Sequence, residues 1–232
     1  MTWTSKSDEF LLSPRFIGGL TLVGVALGIV GAVVVAVRGD LEGVTAAFRG
    51  VDEIGESASA LATATLFAIP SLILFMVGSG LFTLALRDAG DRIISVIAFI
   101  LWFAGLMLFL IALTFQASVT VWAGAELART GAVPDLYEQL RLWMNLWLQR
   151  ASIPLGLLAI VGYGWSILET GLLPRWAGWG AIGWGIVNLL IFLPGGTGAI
   201  GLVYFAAPLL IGLALVAHRK PPTSEAGKTP AA

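Results

Sequence analysis

The sequence predicts an all-α protein, a polytopic membrane bundle of six transmembrane helices, and three observations carry that reading. First, 58% of the 232 residues are apolar and only 12% are charged. A soluble globular chain carries about 25% charged residues, so this one has too little polar surface to coat a body in water. Second, the apolar residues gather into six long runs, most of them about the length that crosses ~30 Å of hydrocarbon, without the strict alternation of barrel strands. Third, the runs open on membrane-boundary residues. In Leu173-Pro174-Arg175-Trp176-Ala177-Gly178-Trp179-Gly180 the proline suits a first helical turn, the arginine holds a charge at the lipid surface, and the indoles suit the headgroup level.

Residues 1–14 form a polar N-terminal segment with a short Phe10-Leu11-Leu12 patch. Lys6, Asp8, Glu9 and Arg15 precede an apolar run too long for a signal-peptide core, so no cleavable signal is expected. The transmembrane domain covers 15–218, with spans at about 15–37, 59–87, 92–119, 151–169, 174–193 and 199–217. Ser13-Pro14-Arg15-Phe16 opens span one much as Leu173–Trp176 opens span five. Gly24, Gly28 and Ala32 form a small-residue stripe on span one that admits a close neighbour, either a helix of this chain or a second copy in a homo-oligomer.

Ser57 or Ser59 fits the N-cap of span two, and Pro70 inside it should kink it. Arg87-Asp88-Ala89-Gly90-Asp91-Arg92 reads as a tight polar turn. The apolar pattern of span three runs on to a helix stop at Thr130-Gly131, roughly 40 residues in all. One crossing at 1.5 Å per residue needs about 20, so the far end should protrude or bend. From Pro134 an amphipathic stretch puts Asp135, Glu138, Arg141, Asn145 and Gln149 on one face and Leu136, Leu140, Trp143 and Trp147 on the other. It lies in the interface or extends span four. With 38–60, the stretch 120–150 predicts an extracytoplasmic helical cap. Pro154 and Pro208 lie inside spans four and six, and 219–232 is a cytoplasmic tail expected to be disordered.

Six spans put both termini on one side. That side collects Lys6, Arg15, Arg87, Arg92, Arg175, Arg219, Lys220 and Lys228, whereas Arg38, Arg49, Arg129, Arg141 and Arg150 lie opposite among more acids. The positive-inside rule then makes both termini cytoplasmic, in a multi-pass protein of the inner (plasma) membrane. The Ala-, Gly-, Val- and Trp-rich composition suits a bacterium of high genomic GC content.

The chain also echoes itself. Ile69-Pro70 precedes Val77-Gly78-Ser79-Gly80 at the same spacing as Ile153-Pro154 precedes Val161-Gly162-Tyr163-Gly164. Phe67-Ala68-Ile69-Pro70 returns as Phe205-Ala206-Ala207-Pro208, and Arg15, Arg92 and Arg175 each stand at the start of an odd span. The pattern predicts three helical hairpins in parallel repeat; chance among Gly-, Pro- and Leu-rich helices is the competing explanation.

Chemistry is sparse. Without cysteine there is no disulfide or thiolate site, and with one histidine, His218, paired-imidazole haem ligation and His-based zinc sites are nearly excluded. No metal, cofactor or catalytic residue is assigned. The net charge of −1 gives no case for nucleic acid. No carboxylate lies deep in a span, which argues against a pump or ion-coupled transporter. Gly78-Ser79-Gly80 lacks a base within reach. The polar groups at depth are Tyr163, near mid-membrane, and Asn188 and Tyr204, in the outer half; they could hydrogen-bond one another. Trp143 and Trp147 could stack on a ligand under the cap, or anchor the cap at the interface.

The early Pro-Arg-aromatic start, the long outer loop and the late Leu173-Pro174-Arg175-Trp176-Ala177-Gly178-Trp179 motif resemble the bacterial six-helix membrane proteins of domain-of-unknown-function family 4386. The resemblance implies a six-helix layout over about 10–218 and transfers no activity and no functional residue. The residues themselves point to a non-catalytic membrane protein. It would bind a lipid or small apolar molecule in a sensing or accessory role, with membrane lipids as partners. Tyr163, Asn188, Tyr204, Trp143 and Trp147 would line the site. The alternative is a small transporter or channel, which needs a continuous polar path; an enzyme would need titratable groups clustered at one depth.

Overall fold

The computed structural model describes residues 13–38, 54–140, 147–195 and 200–217. The described residues fold into helices α1 (Pro14–Arg38), α2 (Ile54–Asp88), α3 (Ile94–Thr130), α4 (Asp135–Leu140), α5 (Trp147–Thr170), α6 (Arg175–Gly195) and α7 (Ile200–Ala217). Four are long and apolar enough to cross a membrane, over Pro14–Val34, Thr63–Asp88, Ile94–Thr130 and Arg150–Thr170. These helices are apolar nearly all round, as expected where both neighbours and surroundings are apolar.

Close approaches between glycines and their neighbours show that adjacent long helices run antiparallel. Gly31 of α1 lies over Ala64 of α2 while Gly78 of α2 lies against Thr21 of α1. Gly105 of α3 meets Ser152 of α5 while Gly162 meets Ala98, and Gly18 of α1 meets Gly212 of α7 while Gly28 meets Phe205. α1, α3 and α6 therefore begin at one end of the bundle, here the proximal end, where α2, α5 and α7 finish. Round the bundle the order is α7, α1, α2, α3, α5, α6. Among the described residues every neighbouring pair packs along its length except α6 and α7, which touch at few points. One core runs through the ring, with Ile17, Leu86, Leu106, Leu157, Ile167 and Leu215 wholly shielded.

Several contacts recur at matching positions. Thr21 and Ala98 each stand six residues after Arg15 or Arg92, and Gly78 and Gly162 each stand eight after Pro70 or Pro154. A β-carbon on Gly78 would lie 3.0 Å from Thr21 Oγ1, and one on Gly162 would lie 3.0 Å from Ala98 Cβ. Gly28 meets Ser71 as Gly105 meets Leu155, and Gly80 meets Phe99 as Gly164 meets Ile182. The position of α7 that corresponds to Gly78 and Gly162 is Val216, eight residues after Pro208; its Cγ2 would lie 2.9 Å from a β-carbon on Gly18 of α1.

The boundaries refine the sequence reading. α2 is already helical at Ile54, so neither Ser57 nor Ser59 caps it, and it continues unbroken through Pro70. α3 is one helix of 37 residues, about 55 Å long and so far longer than a bilayer core. It stops where expected: Gly131 takes the left-handed φ of 72° that closes a helix, and its N–H returns to Leu127 O. Its far end carries α4 through a small cluster of Tyr137, Ala123, Val119, Leu127 and Val133. Residues 147–150 belong to α5, whereas 141–146 and most of the first loop lie outside the described residues, as does the tail.

Candidate functional site

Two polar clusters interrupt the apolar core, both in its proximal half. The deeper one joins α2 to α5. Tyr163, 4% exposed, places its hydroxyl 2.9 Å from Thr83 Oγ1 and 3.3 Å from the Ser79 carbonyl. Thr83 in turn donates to Ser79 O at 2.8 Å, the back-bond that lets a threonine sit inside an apolar helix. The Ser79 hydroxyl donates to Met76 O, and Thr21 to Ile17 O, so each polar group has a partner within its own helix or the next. The Phe82 ring lies 5.5 Å from the Tyr163 ring, and Trp102 is buried nearby.

Beside this cluster lies a cavity of about 40 Å³. α1, α2, α3, α5 and α7 all contribute walls: Thr21, Ser79, Trp102, Tyr163, Pro208 and Ile211 are among them. The lining is apolar with a polar edge, the usual composition of a small-molecule site. The volume itself is near that of one liquid water. Among the described residues, α6 alone of the six long helices contributes none to the wall.

The second cluster pins the proximal end. Asp91, 4% exposed, accepts from Ile93 N and Ile94 N at 3.2 Å, from Ser95 N at 2.5 Å and from Ser166 Oγ at 2.7 Å. The first three are orphan donors of the α3 N-terminus; the fourth crosses to α5. Burial would raise this carboxyl, but hydrogen bonds to Ser95, Ser166 and Ile94 outweigh it and hold the pKa below its ordinary 3.8. The Ser95 hydroxyl is buried beside the carboxylate without a well-aligned bond of its own. Gly90, at φ 113°, makes the reversal that delivers Asp91 to this position.

The expected ligand residues are dispersed. Tyr163 lies seven residues from the proximal end of α5 and bonds to Thr83 rather than to Asn188. Asn188 donates to Trp184 O within α6 at 2.8 Å and is not in the cavity wall. Trp147 is 58% exposed at the distal start of α5, with the Arg150 guanidinium 5.7 Å from its ring. At 1.5 Å per residue it stands about 24 Å along the helix from Tyr163. Trp143 and the Tyr204 side chain lie outside the described residues. Of the small-residue stripe, Gly24 faces Phe75 and Gly28 faces Phe205 and Ser71, so both are used within the chain, while Ala32 is exposed.

Thr83, Asp91, Ser95 and Ser166 were not singled out by the sequence. Asp91 carried a usable signal, an acidic residue a short step ahead of a long apolar run. Ser166 carried none, because its role exists only once α5 lies beside the α2–α3 turn. No protein-family model, curated protein or solved structure matches the chain.

Proposed function

We propose that the chain is a six-span integral membrane protein, with both termini cytoplasmic, that binds a lipid chain or small apolar molecule at the proximal cavity. The observation that carries this is the cavity itself. Five helices converge on an apolar space with one polar edge, formed by Thr21, Ser79 and Tyr163. α6 and α7 supply the fifth and sixth crossings, at 21 and 18 residues, or about 31 and 27 Å. The paired contacts of α1–α2 with α3–α5, and of α2–α3 with α5–α6, support a hairpin repeat that departs from its pattern at α7. At its resting size the cavity takes no lipid chain, so occupation needs a helix to move. α7 is the candidate, since it bears Pro208 in the cavity wall and is barely held by α6.

Native mass spectrometry of the protein released from lipid nanodiscs tests the reading. Ala207 of α7 also lines the cavity; a retained apolar adduct in the parent chain, lost in Ala207→Phe at unchanged thermal stability, is the expected result. An adduct that survives Ala207→Phe, or a parent chain that releases empty, would overturn it. A small transporter is the second reading, favoured by a repeat arranged around a central space. It requires a polar path beyond Thr21, Ser79 and Tyr163, and its test is solute flux through proteoliposomes.

A further inference from the structure

The α2–α3 turn carries a groove that the cavity reading does not use. It measures about 490 Å³ and is lined by Leu84, Arg87, Asp88, Gly90, Asp91 and Arg92, within the ~300–1,000 Å³ range of small-ligand sites. Arg87, Asp88 and Arg92 are exposed, and among the described residues none of them makes an ion pair or side-chain hydrogen bond. Asp91 is not available to a ligand in the same way, since its two oxygens already accept from Ile93, Ile94, Ser95 and Ser166. The groove therefore offers two free guanidiniums and one free carboxylate.

Its position matters as much as its charge. The turn joins two of the helices long enough to cross a membrane, so it sits at the boundary of the hydrocarbon. Leu84 and Ile93, 48% and 63% exposed, place apolar surface on the helix ends that flank it. The Asp91–Ser166 bond ties the turn to α5 and keeps the groove shaped without a ligand. The matching turn between α5 and α6 is different: between Gly171 and Arg175 it reads Leu172-Leu173-Pro174, with no second arginine and no aspartate.

We propose that this groove holds the headgroup of a zwitterionic aminophospholipid of the phosphatidylethanolamine type, its phosphate on Arg87 and Arg92 and its ammonium on Asp88. Guanidinium forks match phosphate oxygens in planar, bidentate geometry. A carboxylate beside them favours a headgroup that carries a cation and penalises one that is purely anionic. The acyl chains run down over Leu84 and Ile93 into the bilayer. The inference is independent of the cavity and rests only on α2 and α3 crossing the membrane.

The test uses the full chain in nanodiscs of equal phosphatidylethanolamine, phosphatidylcholine and phosphatidylglycerol, with lipids retained on native release counted by mass. Phosphatidylethanolamine is expected to be retained over both others. The double variant Arg87→Gln/Arg92→Gln should retain about tenfold less phospholipid, while Arg15→Gln and Arg175→Gln should leave retention unchanged. Asp88→Asn should abolish the preference for phosphatidylethanolamine over phosphatidylglycerol while keeping total retention. Equal retention in the double variant, or a phosphatidylglycerol preference in the parent chain, would overturn the proposal. Ala207→Phe leaves this readout untouched, and the cavity adduct is scored in the Arg87→Gln/Arg92→Gln background, where the groove is empty, so failure here and failure of the cavity reading are distinguishable.

Discussion

The helices α1, α2, α3 and α5 and the pair α6–α7 solve the same packing problem in two ways. In the first group the helix that follows each opening arginine is met by a glycine at a fixed distance from a proline: Thr21 with Gly78, and Ala98 with Gly162. In the last pair the position equivalent to Gly78 and Gly162 is a valine, Val216, and α7 packs on Gly18 and Leu22 of α1 through Val216, Leu215 and Gly212. The difference teaches where rigidity and freedom lie. Glycine contacts as close as these leave little slack between the paired helices. Among the described residues α7 is packed along α1 on one flank and touches α6 at few points on the other.

The largest expected effect comes from breaking one of the tight joints. A β-carbon on Gly164 would lie 2.7 Å from Gly178 O, a backbone atom. Gly164→Leu should therefore cost about 3 kcal/mol or more through forced helix separation, read as a large loss of thermal stability in detergent. Gly183 of α6 faces open space, and Gly183→Leu should leave stability within about 1 kcal/mol of the parent. Equal losses at the two sites would erase the contrast between the rigid joints and the free face.

Next in size is the Asp91 clamp. Asp91→Ala removes a buried charge acceptor from three backbone donors and Ser166, and should cost about 3 kcal/mol. Because the folded pKa lies below the ordinary 3.8, the carboxylate contributes its full stability above that value. The contribution fades as pH falls toward the folded pKa. Stability measured from pH 6 downward should thus decline more steeply in the parent than in Asp91→Ala; parallel curves would show that the clamp does not act through its charge. The smallest effect is at the cavity edge. Tyr163→Phe deletes the hydroxyl that meets Thr83 and the Ser79 carbonyl across helices and should cost about 1 kcal/mol, measured by the same unfolding assay.

Much of the architecture was legible because it follows from length and from a few punctuating residues. Span three had to overrun the bilayer, Thr130-Gly131 had to stop it, and Arg87–Arg92 had to turn. The recurring Arg and Pro spacings were legible as an echo, but nothing in them paired Thr21 with Gly78 or Ala98 with Gly162. Of the five residues the sequence marked for a ligand, Tyr163 is the one in the cavity wall among the described residues. Trp147 shares a helix with it, yet a rigid 1.5 Å rise keeps the two about 24 Å apart. Asn188 satisfied itself on its own helix, an option that sequence alone does not distinguish from a bond across helices. Thr83 and Ser166 acquire their meaning from which helices become neighbours, information that no local pattern contains.

The central claim is that the first four long helices are locked by equivalent contacts and that α6–α7 is not. The chain has no cysteine, so paired substitutions report cleanly. The decisive measurement is disulfide formation in proteoliposomes for Thr21→Cys/Gly78→Cys, Ala98→Cys/Gly162→Cys and Ala181→Cys/Val216→Cys. The built β-carbon of Gly78 lies 4.0 Å from Thr21 Cβ, within the reach of a disulfide. The first two pairs should crosslink readily and the third should not. Crosslinking of all three at similar rates, or failure of either of the first two, would contradict the account.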